Sequence, residues 1–163
     1  MGDFVFFWGI GDVKTVQKGC LSQWWLCSFE IDGVRYNCAE QYMMAEKART
    51  FGDGETLEKI LASDKPRVIK NLGREVRGFD PAKWDAVKYG IVVKGNTAKF
   101  SQDSKLKEFL LSTGGAELVE ASPVDEIWGI GLAEGDSGIR DKANWKGQNL
   151  LGKALMDARA VIS

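Results

Sequence analysis

Hydrophobic and polar positions change period repeatedly along the chain, and the changes predict an α+β fold. "DFVFFW" near the N-terminus is a short aromatic run of the kind that forms a buried strand. "FEIDGVRYN" holds two β-prone runs joined at Asp32-Gly33, a strong hairpin signal. Helical spacing then begins: Asn37 is placed to cap a helix, and Glu40 three residues on completes a capping-box pattern. "GETLEKILAS" predicts a second, amphipathic helix. "SDKPRVIKNLG" predicts a third, capped by Ser63 or Asp64, with Pro66 in the first turn and Gly73 as its stop. "DPAKWDAVKYGIVVKGNTAKFSQ" opens at Asp80-Pro81 and predicts a long helix loosened by Gly90 and Gly95. "DSKLKEFLLSTGG" predicts a short helix ended by Gly114, and "AELVEAS" a late strand closed by Pro123. "IWGIG" is too rich in glycine for a regular element. The last helix is expected in "WKGQNLLGKALMDARAVI", where Leu150, Leu151, Ala154, Leu155, Ala158, Val161 and Ile162 make a buried stripe. No repeat, linker or low-complexity tract intervenes. The expectation is a single compact domain over residues 1–163, mostly helical around a small β-sheet to which the late strand returns.

One helix breaks its own pattern. In "NCAEQYMMAEKARTF", Met44 lies about 40° from Glu40, Lys47 about −20° and Phe51 about 20°, so two opposite charges share the apolar stripe. Tyr42, Glu46 and Arg49 fall on the opposite side. Glu40 is then either the reciprocal member of a capping box or a group that lines a pocket. In the second case the helix dipole keeps its carboxylate ionised, and Lys47 pairs with it or meets a ligand phosphate.

Composition narrows the chemistry. The chain has 163 residues, 44% hydrophobic and 28% charged, with a formal net charge of −1. These are the proportions of a soluble globular domain, and the balanced charge argues against a nucleic-acid partner. Small phosphorylated ligands stay open, since they need only a few cations. No apolar run has the length of a membrane span, and "MGDFVFFWGIGD" has no basic leader with a cleavage signal. Phe6 stands where a myristoylation motif wants Ser or Thr. Cys20, Cys27 and Cys38 are odd in number and lack CxxC spacing, which fits a reducing cytoplasm and neither a disulfide frame nor a zinc site. There is no histidine, so acid–base chemistry falls to Asp, Glu, Lys, Tyr or Cys. Six tryptophans supply flat surfaces for a ring.

A second set of candidates lies late in the chain. Glu120 sits at a strand end, followed by Asp125 and Trp128 among glycines. Trp145, Gln148 and Asn149 stand at the expected start of the last helix, where backbone amides suit a heterocycle or a phosphate. The alternative is a core tryptophan with ordinary caps. "GIGLAEG" is not a dinucleotide fingerprint, because it follows no clean strand and opens no helix. Arg74, Arg77 and Lys88 read as a solvated face, and Trp84 as core. Trp24-Trp25 reads as a ring-stacking lip or a packing corner.

Taken together, "LSQWW", "FEIDGVRYNCAEQYMMAEKARTFGD", "LGREVRGFDPAKWDAVKYGI", "KFSQDSKLKEFLLSTG", "LVEASPVDEIWGIGL" and "WKGQNLLGKALMDAR" resemble the YbiA-like, or NADAR, family in order and spacing. The resemblance covers roughly residues 21–159 and departs at Leu26-Cys27-Ser28, where family members often carry prolines. It implies an α+β N-glycosidase fold, mostly helical around a small sheet. It further implies cleavage of a ribosyl C–N bond in phosphoribosylamino-pyrimidines, the early intermediates of riboflavin biosynthesis. Other relatives remove ADP-ribose from guanine in nucleic acid.

Such a cleavage passes through an oxocarbenium-like state that an ionised carboxylate stabilises while a second group protonates the leaving nitrogen. With this chemistry the expected catalytic set is Glu40 with Asp125, or with Glu120 in its place. Lys47 is expected to hold phosphate or tune Glu40. Trp84, Trp128 and Trp145 are expected to hold the pyrimidine, and Gln148 and Asn149 to read its polar edge. No metal or organic cofactor is needed, and no obligate protein partner is evident. An ADP-ribosyl-guanine hydrolase and a non-catalytic ADP-ribose or nucleotide-binding module are the competing expectations.

Overall fold

The computed structural model describes residues 3–163. The early aromatic run forms β1, Phe4–Phe7, and the late run forms β4, Glu117–Glu120. They pair in parallel, Phe4 opposite Glu117 and Phe7 opposite Glu120. The hairpin strands β2, Phe29–Ile31, and β3, Val34–Tyr36, turn at Asp32 (φ 52°) and Gly33 (φ 82°). Two successive positive φ values are what a tight two-residue turn demands.

The late strand does return to the first one, but the hairpin stays apart as its own ladder. Its inner face is claimed by helices instead. Phe29 and Tyr36 are buried, and the Tyr36 ring meets Tyr42 edge-on at 5.1 Å.

Six α-helices among the described residues complete the domain: α1 Ala39–Thr50, α2 Gly54–Ala62, α3 Pro66–Arg74, α4 Pro81–Ser101, α5 Ser104–Ser112 and α6 Leu150–Ile162. Asp53, Asp80 and Asp103 cap α2, α4 and α5 with carboxylates that accept first-turn amides. Gly73 does not stop α3. It sits inside that helix, where a Cβ would come within 1.9 Å of the Met44 sulfur, so its smallness lets α3 lie against α1. Neither Ser63 nor Asp64 caps α3; its N-cap is Lys65. α4 runs unbroken through Gly90 and Gly95 and packs on both α1 and α6.

The last helix starts later than its sequence suggests. Residues 145–149 instead form an irregular track laid along the glycine-rich loop. Lys146 and Gly147 donate to the Ile130 carbonyl, Gln148 to Glu126 and Asn149 to Gly129. A Cβ on Gly147 would stand 2.2 Å from the Gly129 oxygen. The backbones are therefore too close for any side chain there, and α6 begins at Leu150.

Candidate active site

Because β1 and β4 are parallel, both end at the same edge of the molecule. Trp8 leaves from one strand and Ala121-Ser122 from the other, beside the N-terminus of α1 and one face of α3. These elements enclose a cleft of about 740 Å³. A crevice beyond the carboxyl ends of parallel strands is a common ligand site in α/β architecture.

Three acids line it: Glu40, Glu120 and Asp125. Glu40 is not a capping residue. The N-cap of α1 is Cys38, and Gln41 reaches back to accept the Asn37 amide at 2.8 Å, which leaves Glu40 free to enter the cleft. Burial pushes its pKa up to about 7, against the pull of Lys70, Lys47 and Arg74, and the Asp125 charge adds to the rise. Desolvation therefore outweighs the helix dipole that the sequence pattern suggested would keep it ionised. Glu120 ends β4, its backbone amide held by Asn149 Oδ1 at 3.0 Å. Its Oε2 is buried without a partner. Burial, followed by the charges of Asp125 and Glu40, pushes its pKa up to about 8. Asp125 accepts the Ile127 and Trp128 amides, each at 2.9 Å, and so folds its own loop around itself. Among the described residues, no group of three or more His, Cys, Asp and Glu side chains is arranged to hold a metal ion.

The same cleft is lined by Lys47, Arg67, Lys70 and Arg74. None of them lies in an ion pair among the described residues. Lys47 is half-buried, its Nζ 4.7 Å from the Phe79 ring centre and 5.9 Å from that of Trp84. Burial lowers its pKa while Glu40 raises it. Arg67 and Lys70 were not foreseen from the sequence, and Arg74 reads there as solvated surface. The signal was available, because positions 67, 70 and 74 share one helical face.

The aromatic walls differ from the expected set. Trp128 lines the cleft, with Lys88 Nζ 6.0 Å above its ring. Trp84 lies in the core beneath Lys47 and does not border the cleft. Trp145 packs elsewhere, its Nε1 donating to Ile139 at 2.7 Å and its ring 6.1 Å from Phe4. Gln148 points to solvent. Asn149 is buried and structural: its Nδ2 donates to Leu118 at 3.0 Å while its Oδ1 holds the Glu120 amide. Trp145, Gln148 and Asn149 are expected around a ring only if the last helix begins there, and it begins at Leu150. Instead Trp8 and Trp24 supply the other indoles. The Trp24-Trp25 pair splits, Trp24 facing the cleft with Arg67 and Lys70 each 5.9 Å from its ring centre, and Trp25 buried.

The NADAR domain model matches residues 6–163. The chain belongs to the NADAR family. Its NADAR relatives include N-glycosidase R617 of Acanthamoeba polyphaga mimivirus, 45% identical over 161 residues, which span 96% of this chain and 94% of that protein. N-glycosidase YbiA of Escherichia coli K12 is 32% identical over 130 residues, 80% of this chain and 72% of its own length. The NMR structure of E. coli YbiA superposes with a TM-score of 0.79 at 29% identity, covering 98% of this chain and 84% of that one. The α+β NADAR fold, helical around short strands, is thus common to both proteins.

Proposed function

We propose that the protein is an N-glycosidase that hydrolyses the ribosyl C–N bond of phosphoribosylamino-pyrimidines, releasing ribose 5-phosphate and the pyrimidine. The names of its relatives support the reaction class. The observation that carries the reading is one cleft lined both by buried Glu40 and half-buried Glu120 and by unpaired cations. With pKa values of about 7 and about 8, the pair holds one proton over a window near neutrality.

Glu120, the weaker acid, gives its proton to the leaving nitrogen as the C–N electrons depart. Glu40, ionised, faces the cationic sugar and takes a proton from the water whose oxygen bonds to the anomeric carbon. Solvent then restores both protonation states. Asp125 raises both partners and holds the loop that carries Trp128. Lys47, Arg67, Lys70 and Arg74 bind the phosphate, and Trp128 and Trp8 flank the base.

A second reading, hydrolysis of ADP-ribosylated guanine in nucleic acid, draws on the length of the α3 stripe. Positions 67 to 74 span about 10 Å, enough for two phosphates. Incubating purified protein with each pyrimidine and with ADP-ribosylated guanine DNA, followed by mass spectrometry, separates the two. Ribose 5-phosphate from the pyrimidines supports the first. Product from the DNA alone overturns it.

A further inference from the structure

Lys99, near the end of α4, is a buried amine without an acid. Its residue is 1% exposed, and its Nζ donates to the carbonyls of Cys20 at 2.7 Å and Ser22 at 2.9 Å. Among the described residues no carboxylate lies within ion-pair distance of it. A buried, unpaired ammonium is costly, and an apolar side chain would fill the same space without that cost. One turn earlier Asn96, also buried, donates to Gln23 Oε1 at 2.9 Å. Two polar groups of one helix thus converge on residues 20–23.

That segment is a wall of the cleft, to which Ser22, Gln23 and Trp24 all contribute. On its other side the Gln23 carbonyl accepts the Glu40 amide at 3.0 Å. The strap follows a single 3-10 turn, Lys18–Leu21, whose last carbonyls have no helical partner. A lysine, with three donors on a long stem, reaches one of them, at Cys20, together with the Ser22 carbonyl just beyond the turn, which also accepts the Trp25 amide at 3.2 Å.

We propose that Asn96 and Lys99 are positioning residues for the cleft: they clamp the Ser22–Trp24 strap from behind, and through it set Trp24 and the first turn that bears Glu40. The proposal rests on the cleft being the catalytic site. It explains why a costly charge is kept in the core, since such departures from local rules gather where function needs a fixed geometry.

The test compares Lys99→Met, Trp24→Ala and the double variant with Leu106→Ala, a core substitution in α5 that removes no hydrogen bond to the strap and no residue lining the cleft. Lys99→Met is expected to raise KM for the hydrolysed pyrimidine about tenfold, more than it lowers kcat. In the Trp24→Ala background the same change is expected to add little, because both act through one strap. Amide hydrogen exchange at Trp25 and Glu40 is expected to quicken in Lys99→Met and not in Leu106→Ala. Full additivity with Trp24→Ala, or exchange at Glu40 no faster than in the Leu106→Ala control, overturns the proposal. Should the wild type turn over none of these substrates, the cleft's assignment fails, and exchange at Glu40 still decides the clamp. Asn96→Ala carries the same expectations if Lys99→Met does not fold.

Discussion

Glu40 and Glu120 are ordinary carboxylates that surroundings have made weak acids. If the proposed division of labour holds, Glu40→Gln lowers turnover by about 10²–10⁴-fold while circular dichroism and ligand binding persist. The rate should then peak between about pH 7 and about pH 8, where Glu40 is ionised and Glu120 protonated, and fall on either side. The same shifts have a consequence for stability. The native state holds the Glu120 proton more tightly than the unfolded chain, whose carboxyl titrates near 4.5. Its contribution is complete below that value and is lost as pH rises through about 8. Glu120→Gln removes the liability, so its melting temperature should gain on the wild type progressively between about pH 5 and about pH 9, measured by thermal unfolding. Glu40 was visible in the sequence as a charge misplaced on an apolar stripe. Its raised pKa was not, because that depends on water excluded when distant segments pack around it.

Single helices show how similar residues take different work from their neighbours. Gly90 and Gly152 both sit inside helices. Nothing lies within 4 Å of where a Gly90 Cβ would be, whereas at Gly152 it would meet the Leu118 carbonyl at 2.0 Å. Gly90→Ala should therefore stabilise by about 0.5–1 kcal/mol through helix propensity. Gly152→Ala should destabilise by roughly 1–3 kcal/mol or more by prising α6 from β4. Urea unfolding of the two variants reads both signs, and a destabilised Gly90→Ala would contradict the picture. α3 is the other instructive element. Its buried side is slight, Ile69 and Gly73 with Leu72 partly covered, yet its basic face forms a wall of the cleft. The hydrophobic pattern marked it only as a helix. Its place in the cleft rests on those charged side chains, which a pattern of apolar positions does not weigh.

At the scale of the molecule, a net charge of −1 offers no general attraction for an anion, so any pull on phosphate is local to the cleft. KM for a phosphorylated substrate should rise with ionic strength, with kcat changing much less, in steady-state assays at increasing salt. An unchanged KM would argue against the Arg67, Lys70 and Arg74 face as the anion seat. No helix among the described residues is long and apolar enough to cross a membrane. Much of this architecture is local and was legible in the chain: the Asp32-Gly33 turn, the Asp80 cap, the long α4 and the late strand all follow from φ preferences, capping and periodicity acting over a few residues. The site is another matter. Glu40, Lys70, Glu120 and Trp8 are far apart in sequence, and they meet only because two strands pair in parallel and α3 lies along α1. Trp145 and Asn149 were misread for the same reason, since a loop-to-loop backbone contact delays α6 and turns them into supports. Local chemistry specified the elements. Which acids lose their water, which indoles face the cleft and which cations stay unpaired were set by packing between distant segments, an energy that no stretch of the chain contains alone.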